Sequence, residues 1–287
     1  MNQINLFIEL TRLKKPIGFM LLFWPCTWGL TLAYDFSTNL NNYFFYLLLF
    51  FLGAVFMRSA GCIVNDILDK EYDKKVFRTK DRPIASGQIS VKIGITYVLV
   101  LCFCALLVLL NFNTITILFA LGSMPLAFTY PLMKRLTYWP QLFLGITFNY
   151  GLLLGWTSVN GNLDIIPVLL YLGAIFWTLG YDTIYGFQDI KDDEIIGLKS
   201  TSIKFKKQPF IFLITCYFVL FLMLVVLGIL NNFNIFYYVF SLIIGYHLFF
   251  YQLKSVDLNI PMNCLKVFKS NNLLGFLVFL QLLIGKI

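Results

Sequence analysis

The chain has 287 residues, of which 59% are hydrophobic and 18% aromatic, whereas only 13% carry a charge. Its mean hydropathy of +0.80 excludes an ordinary water-soluble protein, because such a protein needs much more polar surface. The net charge is +8, but no soluble basic domain with interleaved aromatic residues is present. We therefore predict that the chain lies in a lipid bilayer and has no nucleic-acid partner.

Apolar runs long enough to cross a bilayer recur along the whole chain. A hydrocarbon core about 30 Å thick needs about 20 helical residues per crossing. The runs 47–55 and 218–227 are continuously apolar and lack the alternation of a membrane β-barrel. We therefore predict an all-α, polytopic membrane bundle that forms a single domain over residues 1–287. Its nine transmembrane helices, called spans 1 to 9, are predicted at 17–34, 43–64, 92–110, 114–133, 141–158, 165–187, 209–230, 234–252 and 271–286.

The basic residues predict the orientation of this bundle. Lys and Arg precede span 1 and occur between spans 2 and 3, 4 and 5, 6 and 7, and 8 and 9, whereas the alternate loops contain none. Only Lys286, near the C-terminus, departs from this pattern. Because short loops rich in Lys and Arg stay inside, the N-terminus and these loops are predicted to be cytoplasmic.

The end of span 2 carries the first acidic cluster. Residues four apart on a helix rise about 6 Å and rotate only about 40° from one another, so Asn65, Asp69 and Asp73 share one face. We call this set the first acidic stripe; Asp66 lies beside it and is predicted to support it. Arg58 falls on the same face about two turns deeper in the membrane. A basic residue at that depth is costly, which indicates a function.

The end of span 6 repeats this spacing. Asp182, Asp189 and Asp193 are seven and four residues apart and form a second acidic stripe. Such hard oxygen ligands are typical of Mg²⁺ bound together with substrate phosphate oxygens. Each stripe precedes a basic, Gly-containing loop, whose cations could hold the oxygens of a diphosphate. The candidate diphosphate-binding residues are Arg78, Lys80, Arg82 and Lys199.

Two other interpretations of the carboxylates remain open from the residues alone. A single D-x-x-x-D at a membrane edge is often only a solvated helix end. An ion-coupled secondary transporter would also place carboxylates within its membrane helices, but near the bilayer midplane. Two stripes on the same predicted side, each followed by a basic loop, favour a binding site for a metal and a diphosphate.

Taken together, these motifs resemble the UbiA superfamily of intramembrane prenyltransferases, and most closely its branch that prenylates 4-hydroxybenzoate for ubiquinone biosynthesis. The resemblance covers nearly the whole chain. It is carried by residues 13–18 with 23–25, 57–66 through 82–87, 130–135 with 140–141, and 181–185 through 199–201.

The resemblance implies a central cavity and a Mg²⁺-dependent transfer from polyprenyl diphosphate to the ring of 4-hydroxybenzoate, ortho to its hydroxyl. It implies that the metal is bound by Asn65, Asp66, Asp69, Asp73, Asp189 and Asp193. Of these, the residues implied to be essential for catalysis are Asp69, Asp73, Asp189 and Asp193. Arg58 and Arg135 become candidates for the acid's carboxylate, and Asp182 and Tyr185 for supporting positions. The expected location is a bacterial or mitochondrial inner membrane. A naphthoate or homogentisate acceptor remains the alternative; prenyl length and oligomeric state are left open.

Overall fold

The computed structural model describes residues 3–76 and 79–287 and contains no β-strand within them. Eight of its helices have the length and hydropathy to cross a membrane, and a ninth apolar helix is slightly shorter. The prediction of an all-helical bundle with nine spans is therefore confirmed for the described residues. In order, the spans are Ile17–Ala33, Leu40–Leu68, Val91–Leu109, Thr114–Leu136, Pro140–Asn160, Ile165–Gly186, Pro209–Leu230, Ile235–Ser255 and Pro261–Lys286.

Span 9 differs most from its predicted bounds. It begins at Pro261, ten residues before the predicted start. The early turns contain Lys266 and Lys269, which made this segment look like a loop in the sequence. However, Pro261 occupies the first turn, where its missing N–H costs nothing, and Cys264 and Val267 are buried. The helix therefore begins before the apolar run, and Lys266 and Lys269 lie in this polar first part of span 9.

Several spans begin at a polar residue that caps the helix. The side chains of Ser90, Asn113 and Asn234 accept hydrogen bonds from backbone N–H groups three residues later, at 3.3, 2.9 and 3.2 Å. Such caps satisfy N–H groups that have no partner within the helix. Span 5 ends at Asn160, and the next residue, Gly161, has a φ of 66° in the left-handed region that glycine adopts without strain. These capping residues lie where the apolar runs begin or end, and most predicted helix boundaries therefore agree with the observed ones.

Spans 1, 5, 6 and 9 form the centre of the bundle, and spans 1 and 5 approach each other most closely. A Cβ atom at Gly29 would lie 1.9 Å from the backbone oxygen of Leu152. A Cβ atom at Gly155 would lie 2.3 Å from the backbone oxygen of Cys26. Small residues at such positions let two membrane helices pack backbone to backbone. A hydrogen bond also connects span 1 to span 9, because Trp28 Nε1 donates to the Gly275 oxygen at 2.9 Å.

Spans 3 and 4 are peripheral. Span 3 packs on span 2, whereas span 4 packs mainly on span 5. Much of their apolar surface is exposed, including Leu99, Phe103 and Leu118. In a membrane protein such surfaces face lipid. The two neighbouring spans are thus attached to different parts of the bundle.

Short helices lie on the side of the bundle where spans 2 and 6 end. They are Gln3–Leu10, Lys70–Asp73, Ile190–Ile195 and Thr201–Lys204. The last of these is fixed to the bundle, because the Thr201 N–H donates to Gln141 Oε1 at 3.0 Å and Ser202 Oγ donates to the Thr183 oxygen at 2.8 Å. The loop after span 6 is therefore folded back against spans 5 and 6.

Candidate active site

A polar cavity of about 380 Å³ lies where spans 2, 4 and 6 end. Both acidic stripes line it, together with basic residues from the adjoining loops. The acidic and amide side chains in its lining are Asn65, Asp69, Asp73, Gln141, Asp182, Asp189 and Asp193. The structure therefore brings the two stripes to one space, although they are more than a hundred residues apart in the chain.

The first stripe does not lie on one uninterrupted helix. Span 2 ends at Leu68, Asp69 has φ −94° and ψ 4°, and the short helix Lys70–Asp73 follows. Helix-like hydrogen bonds nevertheless cross this junction, from the Asp69 N–H to the Asn65 oxygen at 2.9 Å and from the Asp73 N–H to the Asp69 oxygen at 2.8 Å. This near-continuity preserves the shared face. Asp66 is 2% exposed and is not part of the cavity lining, which agrees with its predicted place beside the stripe.

Asp66, beside the first stripe, and Asp73, within it, pair with basic side chains. Arg12 Nη2 lies 2.6 Å from Asp66 Oδ1. Arg82 Nη1 bridges Asp66 Oδ1 and Asp73 Oδ2, at 3.1 and 2.8 Å. Burial raises the pKa of Asp73 above its usual range, and the Arg82 guanidinium opposes that rise. These pairs stabilise anionic carboxylates in a partly dehydrated place.

Asp69 is the most enclosed carboxylate of the first stripe. It is 1% exposed and pairs with Lys134 Nζ through Oδ2. Its Oδ1 lies 3.2 Å from Arg135 Nη2, which also donates to the Leu68 oxygen at 2.8 Å. The Arg135 guanidinium lies over the Tyr72 ring at 4.9 Å. Arg135 therefore lies behind Asp69 and is not part of the cavity lining, whereas Lys134 is.

The second stripe lies on either side of a helix break. Span 6 ends at Gly186, and the next helix begins after Asp189 at Ile190. The Asp193 N–H donates to the Asp189 oxygen at 2.9 Å, and the Asp193 oxygen accepts from the Leu198 N–H at the same distance. The following Lys199 N–H donates to the Lys134 oxygen at 2.8 Å. This bond ties the loop of the second stripe to the end of span 4.

The predicted diphosphate-binding residues separate into three groups. Arg82 and Lys199 line the polar cavity. Lys80 is exposed and is not part of the lining. Arg78 lies outside the described residues. Arg12 and Lys134 also line the cavity, although the sequence had indicated only a topological role for the first and a family match for the second.

Arg58 lies deeper, at the boundary between the polar cavity and a second, apolar cavity of about 440 Å³. Its guanidinium lies 5.2 Å from the centre of the Phe148 ring. Its Nε atom is buried without a hydrogen-bond partner in the described part of the chain. A Cβ atom at Gly18 would lie 2.8 Å from that Nε, so the glycine leaves room for the guanidinium. A buried cation with an unsatisfied donor is suited to an anionic ligand.

The apolar cavity extends from Arg58 between spans 2, 3, 4 and 5. Its wall includes Gly53 from span 2, Leu106 from span 3 and Ala120 from span 4. Arg58, Tyr130 and Phe148 belong to the linings of both cavities. The two spaces therefore meet at one place, where a basic side chain and two aromatic rings lie between polar and apolar surroundings.

Asp182 and Tyr185 also line the polar cavity. The Tyr185 ring packs against Phe268 of span 9, with 4.4 Å between ring centres. This contact connects the end of span 6 to span 9. The structure thus brings Tyr185 and Asp182, a member of the second stripe, into the same cavity as the first stripe; their supporting role stays a prediction.

The donor set suits a hard divalent cation, because carboxylate and amide oxygens from both stripes face a common space. Within residues 3–76 and 79–287, no group of three or more His, Cys, Asp or Glu side chains is gathered closely enough to hold a metal ion. Part of the reason is that Asp66, Asp69 and Asp73 each pair with a basic side chain, which keeps their oxygens apart from one another. Metal binding would require these side chains to turn from their present partners.

The sequence matches the family model described as the UbiA prenyltransferase family over residues 22–280. The chain belongs to the UbiA prenyltransferase family. It is 44% identical over 282 residues to the mitochondrial 4-hydroxybenzoate polyprenyltransferase of Bos taurus and 43% identical to that of Homo sapiens, covering 98% of this chain and 75% of each relative. It is also 40% identical to 4-hydroxybenzoate geranyltransferase 2 of Lithospermum erythrorhizon, over 100% of this chain and 92% of that relative.

Solved structures of UbiA homologues share the fold. The apo homologue from Aeropyrum pernix K1 has a TM-score of 0.78 at 21% identity, covering 94% of this chain and 98% of that one. The homologue from Archaeoglobus fulgidus bound to GPP and Mg²⁺ has a TM-score of 0.69 at 19% identity, covering 96% and 99%. These similarities, with the apolar helices found in residues 3–76 and 79–287, establish a multi-pass membrane protein of UbiA fold.

Proposed function

We propose that this protein transfers a polyprenyl group from polyprenyl diphosphate to 4-hydroxybenzoate, forming a carbon–carbon bond ortho to the hydroxyl. The observation that carries this proposal is the junction of the two cavities. Carboxylates and cations line one, apolar side chains line the other, and Arg58 lies between them. The relatives named as 4-hydroxybenzoate prenyltransferases support the choice of acceptor.

The polar cavity would hold the diphosphate and its metal. We assign metal binding to Asn65, Asp69 and Asp73 of the first stripe and to Asp189 and Asp193 of the second, with Asp66 behind them. When bound, Mg²⁺ would supply charge neutralisation for the departing diphosphate. Arg82 and Lys199, which line the same space, would hold its oxygens as the allylic C–O bond breaks.

Arg58 is our candidate for the carboxylate of 4-hydroxybenzoate. Its buried, unsatisfied Nε and its position between the cavities suit an anion that must bring an aromatic ring to the prenyl carbon. Phe148 and Tyr130 would contact that ring or the allylic cation. Arg135 was an equal candidate from the sequence, but it is engaged with Asp69 and the Leu68 oxygen behind the cavity.

The ring proton must leave after the new bond forms. Asp182 is our candidate acceptor for it, because it lines the polar cavity together with Arg58 and with the proposed metal-binding residues Asp189 and Asp193. Transfer of the proton to its carboxylate would restore aromaticity and leave the prenylated acid neutral at that carbon. Tyr185 would support this part of the cavity from its packing on Phe268.

The apolar cavity would receive the isoprenoid chain. It is walled by spans 3 and 4, which pack on different neighbours and expose apolar surface to lipid. We propose that the chain passes between these spans into the bilayer. A photoactive prenyl diphosphate should then crosslink to span 3 or 4, and exclusive crosslinking to the polar loops would contradict this path.

We also propose an inner membrane, mitochondrial or bacterial, with the N-terminus and both stripes on the matrix or cytoplasmic side. The mitochondrial relatives support the first membrane, and the distribution of basic loops supports the orientation. Cysteine-accessibility labelling at Lys14→Cys and Asn160→Cys would test it, because the two positions should react from opposite sides of sealed vesicles.

The activity is tested with membranes that contain the expressed protein. They are incubated with a polyprenyl diphosphate and labelled 4-hydroxybenzoate, with Mg²⁺ or with EDTA, and lipid-extractable label is measured. Metal-dependent product is expected. Product only with a naphthoate or homogentisate would change the acceptor, and no product with any aromatic acceptor would refute the proposal.

A further inference from the structure

Gly18, in the first turn of span 1, lies against the guanidinium group of Arg58 from span 2. A Cβ atom at Gly18 would lie 2.8 Å from Arg58 Nε, 3.5 Å from Nη2 and 3.6 Å from Cζ. Three atoms of the guanidinium group therefore lie along the backbone of one glycine. An alanine at this position would collide with Nε, because close-packed protein interiors do not hold a carbon and a nitrogen 2.8 Å apart without a bond.

Phe148 of span 5 makes the second contact with this guanidinium. The Arg58 Cζ lies 5.2 Å from the centre of the Phe148 ring, a distance at which a cation is attracted to an aromatic face. Spans 1 and 5 pack backbone to backbone through Gly29 and Gly155, which fixes the separation of the two spans. The guanidinium is therefore positioned by Gly18 of span 1 and Phe148 of span 5, although its own backbone belongs to span 2.

A methyl group at position 18 would displace the guanidinium rather than span 1. The guanidinium is the far end of a flexible side chain, whereas span 1 is held to span 9 by the hydrogen bond from Trp24 Nε1 to Asn272 Oδ1 at 2.9 Å. Gly29, on the same span, differs in this respect, because its Cβ would meet a backbone oxygen of span 5 at 1.9 Å. Substitution of Gly18 therefore changes the place of a cation, and substitution of Gly29 changes the packing of the bundle.

We propose that Gly18 is a positioning residue for the aromatic acceptor. Because it carries no side chain, it lets the Arg58 guanidinium lie where it binds the acceptor's carboxylate, at the junction of the two cavities. This inference rests on the proposed function, which assigns that carboxylate to Arg58. The effect is specific to the acceptor, since the cations assigned to the diphosphate, Arg82 and Lys199, lie in the polar loops and make no contact through Gly18.

The test is Gly18→Ala, alone and combined with Arg58→Met, in steady-state kinetics and in thermal unfolding of the protein in detergent. In the native background, Gly18→Ala should raise the KM for 4-hydroxybenzoate about tenfold, the loss expected for one charge-assisted hydrogen bond. The KM for prenyl diphosphate and the unfolding temperature should stay close to native. In the Arg58→Met background, Gly18→Ala should change neither KM further, because the guanidinium that it displaces is gone. Gly122→Ala, with open space around its Cβ, is the matched control and should leave all three values unchanged.

Three results would overturn the inference while leaving the proposed function intact. One is a native KM for 4-hydroxybenzoate in Gly18→Ala. Another is the same rise in KM with and without Arg58, since the added methyl would then obstruct the cavity directly. The third is an unfolding temperature as low as that of Gly29→Ala, which would give Gly18 a packing role only. The assignment of Arg58 is tested separately by the single variant: a native KM for 4-hydroxybenzoate in Arg58→Met would refute that part of the proposed function, and the role of Gly18 with it.

Discussion

Replacing Asp69 by asparagine separates the chemical role of this carboxylate from its structural one. Asp69 is 1% exposed, and its partners Lys134 and Arg135 are 27% and 31% exposed. Breaking a fully buried ion pair costs about 3–5 kcal/mol. Because water reaches both cations and the amide oxygen still accepts a hydrogen bond, we expect a loss of about 1–3 kcal/mol in unfolding free energy. Turnover should fall at least about a hundredfold, since a metal carboxylate is removed.

The double variant Asp69→Asn with Lys134→Met distinguishes these effects. Removing the unpaired ammonium should recover part of the lost stability, measured as the unfolding temperature in detergent, while prenyl transfer to labelled 4-hydroxybenzoate stays low. Glu194→Gln is the control for an ordinary exposed ion pair, because it breaks only the contact with Lys206, and should change stability by about 0–1 kcal/mol. Near-native turnover in Asp69→Asn, or turnover that returns together with stability in the double variant, would refute the assignment.

Three further substitutions test other parts of the site and fold. Arg58→Met should raise the KM for 4-hydroxybenzoate about tenfold or more and leave that for prenyl diphosphate nearly unchanged; the opposite split in steady-state kinetics would assign Arg58 to the diphosphate. Gly29→Ala should cost about 1–3 kcal/mol, seen as a lower unfolding temperature, because its Cβ would lie 1.9 Å from a backbone oxygen of span 5. Gly122→Ala, with open space around its Cβ, should be neutral, and equal effects would argue against the close packing. Ala120→Phe should narrow the apolar cavity and slow transfer of long prenyl groups more than of geranyl, whereas the exposed Leu118→Phe should not.

The sequence predicted the fold class and the membership of both stripes well, because membrane spans and helical spacing are local properties. Nine apolar runs sufficed to predict the eight long apolar helices and the shorter Ile17–Ala33 found among the described residues. The shared face of Asn65, Asp69 and Asp73 required only the helical period, which survives the break at Asp69. The early start of span 9 at Pro261 was missed, because a helix that leaves the membrane no longer shows an apolar pattern.

The sequence could not show which distant cations meet which carboxylates. Arg12 looked like a topological signal, and only the packing of the N-terminal helix on span 2 brings it to Asp66. Arg58 and Arg135 looked equivalent as anion ligands, but one lies at the junction of the cavities and the other behind Asp69. These distinctions depend on tertiary packing between residues that are far apart in the chain. Local sequence patterns do not reveal such contacts.

The most direct test of the account is the structure of the product formed by the purified protein from a prenyl diphosphate and 4-hydroxybenzoate. Nuclear magnetic resonance of the extracted product, with parallel reactions in EDTA, locates the new bond and its metal dependence. We predict a metal-dependent 3-prenyl-4-hydroxybenzoate. An ester or ether at an oxygen of the acid, or the same product in EDTA, would contradict a site in which Arg58 holds the carboxylate and the two acidic stripes bind a metal–diphosphate.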